Sequence, residues 1–211
     1  MNASFATVLH RAGAGLLCLG MLVLAGCASQ PALPPAPASA ATSDSYSYLI
    51  GAGDTLNIIV WRNPELSMAV PVRPDGKVAA PLVEELVAQG KTSTQLARDV
   101  EAQLGKYVRD PVVTVLVTGF VGPYSEQIRI VGSATRPSAL PYKQNMTVLD
   151  AMIAVGGITE YASGNRAVLI RTADASKQYT LRLKDLLRGG DVSANVDLRP
   201  GDVIIIPEGW F

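Results

Sequence analysis

The sequence predicts an α+β fold made of two small units in series, the second of them β-grasp-like. Two observations carry this. Short apolar or alternating runs recur along residues 46–207, each bounded by Gly, Pro, Asn or Asp, as strands and their turns are. Each half also holds one stretch with apolar residues at helical spacing behind a threonine cap and ahead of a glycine.

In the first unit, 46–118, residues 56–61 are β-branched and apolar between Gly53-Asp54 and Asn63-Pro64, and read as a strand. Residues 67–72 alternate and close on Arg73-Pro74-Asp75-Gly76, a strong turn signal. Residues 77–81 and 84–87 follow as short strands before Gly90. Leu96, Ala97, Val100 and Leu104 then fall on one helical stripe, with Thr92 and Ser93 as caps and Gly105 as the stop. The apolar run 112–117, next to Pro111, is a final buried strand.

The second unit, 126–207, opens with a strand at 127–131 and a turn-rich stretch containing Pro137 and Pro141. Thr147-Val148-Leu149-Asp150 fits a capping box and starts a helix carrying Leu149, Met152 and Ile153, which Gly156-Gly157 ends. Residues 167–171 and 178–183 read as a strand pair, Leu186-Leu187 as a short helical turn before Gly189-Gly190, and 203–206 as the last strand behind Arg199-Pro200-Gly201-Asp202. Gly-Asp thus enters a buried strand twice, at Gly53-Asp54 and Gly201-Asp202, which is turn chemistry rather than duplication.

The chain has 211 residues, 48% hydrophobic and 17% charged, with 18 basic and 18 acidic side chains. Zero net charge argues against a nucleic-acid partner, and so much apolar surface argues against disorder. The uncharged run 12–24 is a signal-peptide core rather than a span, and it ends in Leu24-Ala25-Gly26-Cys27, which looks like a bacterial lipobox. That resemblance implies cleavage between Gly26 and Cys27 and lipidation of Cys27, with residues 1–26 as the signal. Ala28 after the cysteine, rather than Asp, places the protein at the outer membrane facing the periplasm by the enteric sorting rule. Residues 28–45 contain 6 Ala, 4 Pro and 4 Ser and read, with Cys27, as a tether reaching ~55 Å if extended.

Cleavage would remove His10 and Cys18, leaving no His and no free thiol. Histidine bases, the usual zinc ligands and cysteine nucleophiles go with them, so no metal, cofactor or enzymatic activity is expected. Glu84 and Glu85 are a tempting carboxylate pair, but neighbours on a strand point to opposite faces. Gly51-Ala52-Gly53 starts like a dinucleotide fingerprint, but Leu56 stands at the third glycine and a strand follows instead of a helix.

Several motifs in this order resemble the polysaccharide biosynthesis/export lipoproteins, the Wza-like outer-membrane polysaccharide export family. In the first unit they are Tyr48-Leu49-Ile50-Gly51-Ala52-Gly53-Asp54-Thr55-Leu56 with Trp61 and Pro64, Val72-Arg73-Pro74-Asp75-Gly76-Lys77-Val78 with Pro81-Leu82, and Arg109-Asp110-Pro111-Val112-Val113-Thr114-Val115. In the second they are Ile130-Val131-Gly132, residues 147–157, and Leu198-Arg199-Pro200-Gly201-Asp202-Val203-Ile204. The resemblance implies a small mixed α/β export domain at 46–122 and a soluble-ligand-binding β-grasp (SLBB) domain at 123–211. The ending Pro207-Glu208-Gly209-Trp210-Phe211 is similar to short members associated with exosortase-type clusters.

The resemblance also implies a homo-oligomeric ring that guides polysaccharide out of the periplasm, fed by an inner-membrane copolymerase. Residues 207–211 fall far short of the ~20 a spanning helix needs, so a separate outer-membrane pore protein is expected. Arg73, Asp75 and Lys77 are candidates for lining the conduit or a subunit seam, with a solvated turn as the plainer reading. Trp210 and Phe211 are candidates for contact with a partner or the membrane, or for packing back on their own domain. The rival function is a peptidoglycan- or glycan-binding envelope lipoprotein, since Gly53-Asp54-Thr55-Leu56 also resembles the start of a LysM module. A LysM module would continue into a helix, whereas 57–61 is strand-like.

Overall fold

The computed structural model describes residues 33–37 and 46–209. The first sheet is antiparallel, in the order β2 (Met68–Pro71), β1 (Thr55–Val60), β5 (Val113–Gly119). Alternation sets its faces: Leu56, Ile58 and Val60 point inward and are buried with Val70, Val113 and Val115. A helix, α1 (Ser93–Leu104), covers that face with Leu96, Ala97, Val100 and Leu104. Its start is a full capping box, the Thr92 hydroxyl accepting from Gln95 N and the Gln95 side chain accepting from Thr92 N. A separate hairpin, β3 (Lys77–Ala80) and β4 (Val83–Val87), adds Val78 and Val83 to this core.

The second sheet has five strands in the order β7 (Ser138–Leu140), β6 (Ile128–Gly132), β10 (Val203–Ile206), β8 (Ala167–Arg171), β9 (Lys177–Leu181). The last strand runs parallel to β6 and antiparallel to β8, so it closes the sheet from the middle. Its core includes Ile128, Ile130, Leu169, Ile204 and Ile206, covered by α2 (Val148–Val155) and α3 (Leu183–Gly189). A two-stranded start, a helix, a hairpin and a late central strand give the β-grasp-like, mixed α+β arrangement the sequence predicts.

Three details differ from the sequence reading. The turn-rich stretch contains a strand, β7, squeezed between Pro137 and Pro141 and paired to β6 along the sheet edge. The buried stripe of α2 is Val148, Ala151, Met152 and Val155, while Ile153 is 68% exposed. Small Ala151, a weak hydrophobic signal, is what rotates that face. Finally, part of the alanine- and proline-rich stretch lies along β9, where Pro35 and Thr180 form a parallel bridge.

Candidate functional site: an ion-paired turn and a buried carboxylate

The turn after β2 is shaped by its own backbone. Gly76 N donates to Arg73 O at 2.8 Å and Arg73 N to Lys77 O at 2.9 Å, while the Asp75 carboxylate accepts from Lys77 N at 3.3 Å. Gly76 sits at φ 77°, and an added Cβ would come within 2.7 Å of the Gln89 side chain, so only glycine fits. This turn brings the three sequence candidates together. The Arg73 guanidinium bridges Asp75 at 2.8 Å and Glu85 at 2.9 Å, and the Lys77 amine reaches the other Glu85 oxygen at 2.7 Å.

Glu85 is therefore the hub, a role the sequence reading missed. The signal was present: Lys77 pairs with Val87 across the hairpin, so Glu85 is its diagonal neighbour on the same face. Hydrogen bonds from Lys77 and then Arg73 hold the Glu85 carboxyl below the ordinary carboxylate range, and the same bonds raise Lys77 and Arg73. All four side chains stay between 37% and 52% exposed, so the cluster is a solvent-screened polar surface rather than a source of stability. Its two positive and two negative side chains sum to no net charge.

The second constellation is buried. Asp54 is 0% exposed, and its carboxylate accepts four hydrogen bonds: from Val121 N (2.6 Å) and Gly122 N (2.9 Å) on one oxygen, and from the Tyr48 hydroxyl (2.7 Å) and Gly51 N (2.9 Å) on the other. Burial and the Asp54 hydrogen bond raise the Tyr48 phenol well above its usual value. Gly51 is required because a Cβ there would lie 2.1 Å from the Gly122 carbonyl carbon. The Gln127 amide donates to Val121 O and Gly122 O at 3.2 and 3.4 Å, so the same two residues are gripped from the start of the second sheet. Tyr46 stacks edge-on against Tyr142 at 4.9 Å, and burial beside Glu126 pushes its phenol up to about 12.

The second Gly-Asp pair is built differently. Asp202 is also 0% exposed, with one oxygen accepting from Arg199 N at 2.9 Å and lying 4.0 Å from the buried Arg171 Nε. Its other oxygen makes no hydrogen bond, and burial pushes the carboxyl up to about 6. Near the end of β10 an open groove of about 640 Å³ presents Ser133, Thr159, Tyr161 and Glu208 among apolar walls, groups suited to hydrogen-bonding or stacking on a sugar ring. Among the described residues no cluster of His, Cys, Asp and Glu is gathered as metal ligands would be. Gly26, Cys27, Trp210 and Phe211 lie outside the described residues.

The model of the polysaccharide biosynthesis/export proteins matches residues 42–118, over the first core, and the SLBB domain model matches 126–206, over the second. The two matches, in this order, support a polysaccharide export family protein with an SLBB domain. Families of this kind are transport components rather than enzymes. Among curated relatives, the EPS I polysaccharide export outer membrane protein EpsA of Ralstonia nicotianae is 26% identical over 185 residues, covering 76% of this chain and 47% of that protein. The exopolysaccharide production protein ExoF of Rhizobium meliloti is 28% identical over 193 residues, 84% of this chain and 44% of that protein. The capsule polysaccharide export protein BexD of Haemophilus influenzae is 26% identical over 182 residues, 75% and 43% respectively. The chain spans less than half the length of these export-family relatives. In the family's terms, the ion-paired turn and Asp54 belong to the export domain, and the groove to the SLBB domain.

Proposed function

We propose that this chain is a lipid-anchored component of an exopolysaccharide or capsule export machine, held at the outer membrane and facing the periplasm. In this reading residues 1–26 are removed, Cys27 carries the lipid, 27–45 form the tether, 46–122 the export domain and 123–211 the SLBB domain. Copies assemble into a ring that receives polymer from an inner-membrane copolymerase and passes it to a separate pore protein. The observation that carries the proposal is the succession of the two domain matches over two adjoining cores, in relatives whose names all concern polysaccharide export or production.

Moving a polymer requires a hydrated passage and weak, repeated hydrogen bonds. The Arg73-Asp75-Lys77-Glu85 surface suits such a passage, being rich in donors and acceptors whose charges satisfy one another and would not trap a passing chain. Trp210 and Phe211 are assigned to a partner or membrane contact. Among the described residues no helix is long and apolar enough to cross a membrane.

The test is a clean deletion with polysaccharide assayed separately outside the cell and in the periplasm. Loss of secreted polymer, restored by the full-length gene and not by Cys27→Ala, is the expected result. Unchanged secretion with altered envelope integrity would overturn the reading and favour a glycan-binding lipoprotein.

A further inference from the structure

The second sheet has an edge at β9, and an unpaired edge invites pairing with another chain. Here a piece of the alanine- and proline-rich stretch occupies it. Thr180 N donates to Pro34 O at 2.9 Å and Ala36 N donates to Thr180 O at 3.3 Å, the pattern of a parallel strand pair centred on Pro35. Ala36 is also partly buried against the second core.

The sequence Pro34-Pro35-Ala36-Pro37 is matched to this seat. Ala36 is its only residue with a backbone N–H, and that N–H is the one the pairing uses. In a parallel pair the intervening residues aim their backbone groups away from the partner, so Pro35 and Pro37 face outward with no donor to offer a further strand. The segment both fills the edge and blunts it.

We propose that residues 34–37 are a strap rather than free tether. The strap closes the β9 edge, makes β9 unavailable to a neighbour, and leaves only the residues between Cys27 and Pro34 as the leash to the membrane. These six residues, seven steps from Cys27 to Pro34, span at most about 25 Å, against the ~55 Å of the whole stretch extended. The leash rests on the lipid-anchor reading; the strap does not.

The test uses full-length protein in isolated envelopes carrying Pro35→Cys and Thr180→Cys. Neighbouring strands lie about 4.8 Å apart, within disulfide reach, so mild oxidation should give a faster-migrating, reductant-sensitive monomer in most of the protein. Pro35→Cys with Lys177→Cys, about 10 Å out of register, should give none. Absence of the first crosslink, or a crosslinked dimer in its place, would overturn the strap. Ala36→Asp should abolish the crosslink when added to the pair, with circular dichroism unchanged.

Radioactive palmitate fed to the same cells separates the two readings, because a crosslink without label removes the leash and the anchor while leaving the strap. For the leash, a donor dye on Lys177→Cys and acceptor lipids in reconstituted vesicles should show energy transfer that drops at least two-fold with Ala36→Asp. Equal transfer in both would overturn it.

Discussion

Replacing Asp54 with Asn keeps the side chain's shape and removes its charge. The carboxylate accepts from three backbone amides and the Tyr48 hydroxyl. An amide has one acceptor oxygen and one NH₂. If the oxygen keeps Val121 N and Gly122 N, the NH₂ meets Gly51 N as donor against donor, while Tyr48 rotates its hydroxyl to accept. One orphaned buried N–H costs about 1–3 kcal/mol, and weakening the surviving charge-assisted bonds costs about 1 kcal/mol each. Relief from burying a charge offsets part of this, leaving a net loss of about 2–4 kcal/mol. In a chain of 211 residues that is roughly 5–12 °C in Tm. The assay is urea and thermal unfolding of the full chain in a Trp210→Phe background, so that Trp61, beside β1, reports alone. Thr118→Ala, which removes an exposed hydroxyl bond to Thr55 O, is the control. A loss below about 1 kcal/mol, or one equal to the control, would refute the claim that this carboxylate holds the loop.

The Asp202 carboxyl, raised to about 6 against an unfolded value of about 3.9, binds its proton more tightly in the native state. Its contribution is fully present below about pH 4 and is lost as pH rises through about 6, so wild type should lose about 2–3 kcal/mol relative to Asp202→Asn between those limits, read by urea titrations at four pH values. Thr147→Ala removes the hydroxyl that accepts from Asp150 N, leaving the bond from Thr147 N to the Asp150 carboxylate, and should cost about 1 kcal/mol in chemical denaturation. Glu85→Gln should leave Tm unchanged while the Lys77 amine, seen by NMR titration, falls toward its ordinary range. Ile58→Ala, at the centre of the first core, should cost about 2–5 kcal/mol by denaturation.

The parts of the fold that local rules govern could be read from the sequence. Alternation in β1, the stripe of α1 and both threonine caps follow from residues a few positions apart. What needed distant partners did not show. β7 is a strand only because β6 lies beside it, and Glu85 matters only once Lys77 is placed diagonally across the hairpin. The pairing of Ala36 with Thr180 runs against the sequence signal, since a proline-rich run normally argues against any sheet. The two Gly-Asp turns looked alike and are not: Asp54 has four donors, whereas Asp202 has an oxygen with none. The lipobox cysteine and the terminal aromatics were legible as motifs, and they fall outside the described residues.

The grip on residues 121–122 has a mechanical meaning. Asp54 holds their amides from the first core and Gln127 holds their carbonyls from the second. A connector held at both its donors and its acceptors has few free rotations at those two residues. Swinging residues 121–122 away would therefore break bonds on both sides at once, those to the Asp54 carboxylate and those from the Gln127 amide.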